Sequence, residues 1–262
     1  MICLKGVSFS YEKGINVLDD INIQFDKRAT AIIGQNGAGK TTLVKLIKGL
    51  LRPSSGAIYI GDRDIAGRTV ADLARTVGLV FQNPDDQIFK NNVLDEVMFG
   101  PLNLKIEKEK ARENAMEALS MAGLNDQLKA CPQDLSFSDR KLLCISSVIA
   151  MKTDIIIFDE PTISQDQYGK NKIKDIISLL KQKNKFVISI MHDMDFVAEN
   201  FERTIVLNQG KLLMDGDTKD VFSAVDILKK AHVEPPHITQ LGYRIGFQEA
   251  CLSEEEFIHT FR

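Results

Sequence analysis

Three observations predict an α/β protein with a mainly parallel sheet. First, short continuous apolar runs at residues 29–33, 77–81, 155–158 and 186–191 alternate with helical patterns near 40–50, 108–122 and 170–183. Apolar runs without polar alternation mark strands buried on both faces, and helices between them supply the crossovers that parallel strands require. Second, residues 2–11 and 17–25 read as an N-terminal antiparallel β subdomain. Third, residues from about 85 to 150 are mostly helical in pattern, with 107–119 rich in Glu, Lys and Ala, and form a helical subdomain. After Gly216-Asp217 the pattern changes to short helical pieces at 218–222, 224–231 and 253–261, broken by Pro235-Pro236. Residues 1–222 are therefore expected to form the main domain and 223–262 a small C-terminal helical extension.

Composition narrows the function classes. The 262 residues carry a net charge of −3, which argues against a nucleic-acid surface. No apolar run approaches the roughly 18 residues of a membrane span, and the N-terminus has no charged-then-apolar leader, so the chain is expected to be soluble and to meet a membrane only through partners. Cys3, Cys131, Cys144 and Cys251 lack CxxC spacing and suit a reducing compartment. The four histidines are scattered singly, so no His-based metal cluster is expected.

Chemistry enters with Gly34-Gln35-Asn36-Gly37-Ala38-Gly39-Lys40-Thr41-Thr42, which follows the apolar run Ala31-Ile32-Ile33 and precedes a helical pattern. The spacing is GxxxxGK[ST] in a strand-loop-helix setting. The loop must curl so that backbone N–H groups point at phosphate oxygens, beside the positive end of the next helix. Lys40 then reaches the outer phosphates, and the Thr41 hydroxyl is a ligand for Mg²⁺. A second element, Ile155-Ile156-Ile157-Phe158-Asp159-Glu160-Pro161, reads as a buried strand ending in two carboxylates, where ligands of open α/β sheets sit. Asp159 is placed to support the metal and Glu160 to position an attacking water. The run ending at Met191 delivers His192, suited to contact a γ-phosphate and sense its loss. Gln82 closes the run 77–81 and offers its amide oxygen to the metal, and Tyr11 offers adenine an aromatic face.

Taken in order, these elements resemble the ATP-binding cassette (ABC) family over nearly all of residues 1–222. The resemblance implies a P-loop NTPase ABC cassette, with ATP as substrate and Mg²⁺ as cofactor. In that family's terms residues 34–42 are the Walker A loop and Gln82 is the Q-loop residue. Asp159 ends Walker B, Glu160 is the catalytic glutamate, His192 the switch histidine and Tyr11 the A-loop aromatic.

Two departures stand out. Where the family has LSGGQ, this chain has Leu135-Ser136-Phe137-Ser138-Asp139, with Phe137 and Ser138 for two glycines and Asp139 for the glutamine. In the family this segment binds the γ-phosphate of a nucleotide held by the opposite subunit. A phenylalanine obstructs that approach, and an aspartate about 4 Å from a phosphate charge adds roughly 4 kcal/mol of repulsion before screening. Locally, Ser136 and Asp139 also fit a capping-box-like helix start. The D-loop, Ile163-Ser164-Gln165-Asp166, keeps only the final aspartate of the family's usual SALD. In the family both segments reach across to a partner's nucleotide, whereas the motifs that the resemblance assigns to this chain's own nucleotide are intact. That imbalance suggests one half of an unequal ATPase pair.

Residues 80–89, with Val97-Met98-Phe99-Gly100-Pro101-Leu102-Asn103-Leu104, resemble the ATPases of energy-coupling-factor (ECF) transporters and of cobalt and nickel importers. The resemblance implies an importer for a vitamin or transition-metal ion, at the cytoplasmic face of the cell membrane. Its partners would be a second ABC ATPase subunit with an intact signature, a membrane-embedded coupling subunit and a substrate-binding membrane subunit. Ile88, Phe89, Val97 and Phe99 are candidate anchors for the coupling subunit, and 223–262 a candidate dimerisation element. A homodimeric importer and a regulatory ATP-binding module with little turnover are the alternatives.

Overall fold

The computed structural model describes residues 1–12 and 14–261. It forms two compact units, Met1–Arg68 with Ile188–Arg262, and Thr69–Val187. The chain opens with β1 (Ile2–Ser10), β2 (Asn16–Phe25), β3 (Thr30–Ile33), α1 (Lys40–Ile47), β4 (Ser55–Ile60) and β5 (Arg63–Asp64). The second unit holds α2 (Val70–Leu73), β6 (Val77–Val80), α3 (Val93–Asn103), α4 (Lys108–Ala122), α5 (Phe137–Ala150), β7 (Ile155–Asp159) and α6 (Gln167–Gln182). The chain then returns to the first unit through β8 (Phe186–Ile190), followed by α7 (Met194–Asn200), β9 (Arg203–Asn208), β10 (Lys211–Asp217), α8 (Thr218–Ser223), α9 (Val225–Lys230), α10 (His237–Arg244) and α11 (Glu254–Phe261).

In the first unit, β1 pairs antiparallel with β2 and β4, in the order β2-β1-β4-β5. Alternation in β1 puts Ile2 and Leu4 into the core and, after a register shift between Leu4 and Val7, Val7 and Phe9. Strand β3, buried at every residue, runs parallel to β8 and to β9, and β10 closes antiparallel against β9. Arg203 on β9 is buried and meets Asp215 of β10 through Nε (2.6 Å) and Nη2 (2.5 Å). Its Nη1 donates to the Gln24 carbonyl of β2 at 2.8 Å, so one guanidinium fixes the β9–β10 hairpin on the antiparallel layer. A buried charge is tolerable only with such a complete set of partners.

In the second unit, β6 and β7 pair in parallel and are buried throughout. Helices α3, α4 and α5 pack on one another. Helix α4 presents Ala111, Ala115, Ala118, Leu119 and Ala122 to the core and ends at Gly123 in the left-handed conformation (φ 76°). Helix α6 starts where the Asp166 carboxylate accepts from the Gly169 N–H at 2.7 Å. It buries Ile173, Ile176, Ile177 and Leu180, the three-and-four spacing of one helical face. Glu117 on α4 bridges Lys152 (2.5 Å) and Lys183 (2.8 Å), and those ammonium groups hold its carboxyl down to about 2.

The predicted parallel strands, the antiparallel N-terminal pair and the helical run near 85–150 are all present. The sequence reading did not anticipate β4, β5, β9, β10, α7 or α10. Pro235-Pro236 read as a break, yet Pro236 occupies the N-cap of α10, where the missing N–H costs nothing. Asp195 of α7 completes that helix start, accepting from the His237 N–H at 2.8 Å and bonding its ring Nδ1.

This Asp195 contact raises the His237 pKa above 6.5, with smaller contributions from Asp193 and Glu234. A raised histidine pKa stabilises the fold fully below about 6.5, and the gain is lost as pH rises through the higher folded value. Asp195→Asn should move the His237 titration, followed by NMR, back toward its ordinary value. It should also remove the pH dependence of α10 amide protection above pH about 6.5.

Candidate active site

The phosphate loop joins β3 to α1 in the first unit. Gly34 and Gly39 have φ of 146° and 98°, and both press against neighbouring backbone. A Cβ on Gly34 would lie 2.0 Å from the Leu207 carbonyl oxygen, and one on Gly39 would lie 2.9 Å from that of Val17 and 2.7 Å from Leu18 Cδ2. No side chain fits either position, so the glycines permit the curl that the motif requires. Asn36 and Gly37 form the exposed tip, while Ala38, Lys40 and Thr42 are buried and Thr41 is half-buried. Lys40 Nζ donates to the carbonyls of Gly34 (2.7 Å) and Gln35 (3.0 Å), closing the loop on itself. Helix α1 begins without a side-chain cap, leaving its positive end to the loop. Such a cradle fits a polyphosphate.

Tyr11 lies just past β1, 60% exposed. Its hydroxyl is 3.3 Å from Thr42 Oγ1, and its ring stands edge-to-face on Phe9 at 4.8 Å. The predicted aromatic is thus tied to Thr42 at the end of the loop and remains exposed. His192 follows β8 and is exposed. Met191 before it donates its N–H to the Ile32 carbonyl at 3.1 Å, and Asp193 after it caps α7 by accepting from the Phe196 N–H at 3.0 Å. The histidine is therefore held between a strand end and a helix start. Sequence reasoning missed two supports of the loop. Asn208 Oδ1 accepts from Gln35 Nε2 at 3.0 Å, and the Gly210 N–H donates to the Ala38 carbonyl at 3.2 Å.

The second unit carries the carboxylates. Asp159 ends β7 and is buried, and Glu160 follows in the left-handed region (φ 50°). That conformation is costly for a residue with a side chain and recurs at functional sites. Gln82 Nε2 donates to Glu160 Oε2 at 2.6 Å, so the structure brings the Q-loop amide and the glutamate together. Asn83 caps a short 3₁₀ turn at Pro84–Asp86 by accepting from the Asp85 N–H at 3.1 Å. Gln87 fastens the loop, accepting from the Phe81 N–H at 3.0 Å and donating to the Cys144 carbonyl at 3.1 Å. Lys141 of α5, wholly buried, donates to the carbonyls of Phe81 (3.1 Å) and Gln82 (2.5 Å). Burial lowers its pKa to about 8, while nearby Cys144, Asp159 and Glu160 oppose that fall. Neither Gln87 nor Lys141 was singled out from the sequence, because each acts on a partner distant in the chain.

Thr41, Gln82 and Asp159 offer a hydroxyl, an amide and a carboxylate, hard oxygen donors that suit Mg²⁺ better than a transition metal. Among the described residues no group of three His, Cys, Asp or Glu could hold a metal.

The altered signature opens α5. Ser136 Oγ accepts from the Asp139 N–H at 3.1 Å and donates to Asp139 Oδ2 at 2.9 Å, so its hydroxyl is engaged by its own helix. Phe137 is 36% exposed. The Arg140 guanidinium lies over its ring at 5.7 Å and pairs with Asp85 at 2.6 Å. Ser138 Oγ donates to Gln165 Oε1 at 2.9 Å, joining the signature to the D-loop. Of the four predicted anchors near the Q-loop, Ile88 and Val97 are core residues. Phe89 and Phe99 are exposed and pack edge-to-face at 4.5 Å, with Lys90 over both rings. The buried Glu96 fixes this turn by accepting from the N–H groups of Phe89 (3.0 Å) and Lys90 (2.8 Å).

Comparison with known proteins places the chain in a family. The ABC transporter family model matches residues 18–163. A putative ABC transporter ATP-binding protein of Pyrococcus furiosus is 37% identical over 97% of both chains. An energy-coupling factor transporter ATP-binding protein, EcfA1 of Caldanaerobacter subterraneus, is 39% identical over 94% of this chain and 91% of its own. The solved structure of cbiO1 from Clostridium perfringens, described as part of the ABC transporter complex cbiONQ, superposes with a TM-score of 0.79 at 29% identity, covering 94% of this chain and 98% of that one. On the family match and these relatives, this chain belongs to the ABC transporter family and is an ATPase.

Proposed function

We propose that the chain is the ATP-hydrolysing subunit of an energy-coupling-factor type importer for a vitamin or transition-metal ion, working as one half of an asymmetric ATPase pair. The observation that carries the reading is a contrast within the second unit. Glu160 is engaged by Gln82 at 2.6 Å, as a working carboxylate should be, while Ser136 of the signature is engaged by Asp139 of its own helix. The first arrangement serves this chain's nucleotide and the second withholds a ligand from a partner's. Residues 1–222 make the ATPase domain, with its helical subdomain at about 85–150, and 223–262 make a dimerisation element. The chain works at the cytoplasmic face of the cell membrane, held there by a membrane-embedded coupling subunit and a substrate-binding membrane subunit. It has no membrane-crossing helix of its own among the described residues.

The roles follow from the chemistry of each group. Residues 34–42 and Lys40 bind the phosphates, and Tyr11 stacks on the base. Glu160 polarises the water that attacks the γ-phosphorus in line, and Gln82 fixes the orientation of that carboxylate. His192 contacts the transferred phosphoryl group. Thr41, Gln82 and Asp159 would hold Mg²⁺, which when bound neutralises charge on the phosphate oxygens.

Three outcomes check the reading. Glu160→Gln should retain ATP while lowering kcat by about 10²-fold or more, measured as phosphate release; full activity would remove Glu160 from its role. The purified chain alone should release little phosphate and recover it with a partner subunit carrying an intact LSGGQ. Replacing Phe137, Ser138 and Asp139 by Gly, Gly and Gln should give a chain that hydrolyses ATP as a homodimer. Brisk, Glu160-dependent turnover by an unmodified homodimer would overturn the asymmetric pairing.

A further inference from the structure

The Walker B carboxylates, the Q-loop and the signature helix all lie in the second unit, and one buried side chain touches two of them. Lys141 projects from the second turn of α5, four positions after the sequence changes at Phe137, and is 0% exposed. A fully buried lysine is rare unless it is paired. Here Nζ donates to the carbonyl oxygens of Phe81 (3.1 Å) and Gln82 (2.5 Å), the two residues that leave β6. The backbone thus held is the one whose side-chain amide reaches Glu160 Oε2 at 2.6 Å. Asp159 and Glu160 are both near enough to act electrostatically on the ammonium. The opposite side of the same loop is held by Gln87, through the Phe81 N–H. Phe81 is therefore clamped at both its donor and its acceptor.

We propose that Lys141 is a positioning residue for ATP hydrolysis, holding the Q-loop backbone from α5 so that the Gln82 amide stays on Glu160. A lysine suits the task because a single tetrahedral ammonium can serve two adjacent carbonyls that diverge from a strand end. Charge-assisted bonds of that kind are also stronger than those of a neutral amide. The arrangement makes the start of the signature helix and the catalytic carboxylate parts of one mechanical path. A shift of α5 along its axis moves the carbonyl of Gln82, and with it the amide on Glu160. Lys141 touches neither nucleotide nor reacting atoms, so its effect falls on turnover rather than on ATP affinity.

The test uses the full-length chain with Lys141→Met, which keeps the length and apolar stem, Lys141→Arg, which restores charged donors, and Lys141→Gln, which keeps a neutral donor. Folding of each is checked by thermal melting. Hydrogen exchange then reads the clamp without requiring turnover. In the Met variant, amides of residues 80–87 should lose about tenfold in protection while those of α4 and α1 are unchanged, and Arg should restore most of the loss. Phosphate release by the chain with its activating partner should show kcat falling about tenfold and KM for ATP staying within about twofold. In a Gln82→Ala background the Met substitution should add little further loss of kcat, because both changes break the same path. Unaltered protection at 80–87 in the Met variant would overturn the proposal. So would a loss spread equally over α3, α4 and α5, which would make Lys141 a filler of the core. If the Met variant does not fold, the same comparison rests on Gln against Arg, with loop protection lost in Gln and kept in Arg. Exchange separates this idea from the wider functional reading, since the clamp can be intact in a chain that transports nothing.

Discussion

The nucleotide end of this protein depends on the close approach of Gly34 and Gly39 to neighbouring backbone. Gly34 lies under the carbonyl of Leu207, and Gly39 lies against Val17 and Leu18. Those contacts pin the phosphate loop between the end of β9 and the start of β2. Other placements follow from them. The Ala38 carbonyl can accept from Gly210 in the β9–β10 turn, Gln35 can reach Asn208, and Tyr11 can reach Thr42 from the end of β1. A Cβ at Gly34 would overlap the Leu207 carbonyl oxygen and one at Gly39 would crowd Val17 and Leu18, so a side chain at either position moves the loop off these strands. The cradle would be lost even though every phosphate-binding residue remained.

A comparable balance governs the carboxylates. The left-handed conformation of Glu160 costs about 1–3 kcal/mol. The bond from Gln82, charge-assisted and short, contributes about 1.5–3 kcal/mol and offsets it. Strain at Glu160, the proposed catalytic carboxylate, is thus sustained by a contact from a loop that other side chains hold. Gln87, Lys141 and the Asn83 cap all act on that loop from outside the motif. Precision at Glu160 is distributed over residues that never meet the substrate.

How much of this was legible in the sequence depended on the range of the interaction. The phosphate loop, the buried strand before Asp159 and the helix at Lys108–Ala122 were readable because each is specified by neighbours within one or two turns. Likewise the Ser136–Asp139 cap was foreseeable, being an interaction across three residues. Strand β10 mixes its apolar residues with Lys, Gly and Asp, β9 offers only the short run Ile205-Val206-Leu207, and β4 begins at Ser55-Gly56 just after Pro53-Ser54, so pairing partners elsewhere define all three. Helix α10 was hidden by the prolines before it, and its start is completed by Asp195, 42 residues upstream. The functional residues that went unread share the same cause. Lys141 meets residues about sixty positions away, and nothing beside it in the sequence announces a buried ammonium. Among the apolar residues near the Q-loop, sequence could not separate Ile88 and Val97, which are core, from Phe89 and Phe99, which are not.

The proposed asymmetric pairing needs only a local change at the start of α5. A helix N-terminus offers a limited set of N–H groups and about half a positive charge. In this chain Asp139 already supplies an anion there, and Ser136 spends its hydroxyl on it. Such a cap stabilises its own helix by about 1 kcal/mol. A phosphate arriving from a partner's nucleotide meets that carboxylate instead of open donors, with roughly 4 kcal/mol of repulsion at about 4 Å before screening. Each 1.4 kcal/mol is about a tenfold change in affinity, so even half of that repulsion weakens the composite site more than tenfold. On the proposed pairing, the same substitution firms this subunit's helix and weakens the site it would share, without touching Lys40, Glu160 or His192. Asymmetry on this account requires no change in fold, only an anion that the helix brings for itself.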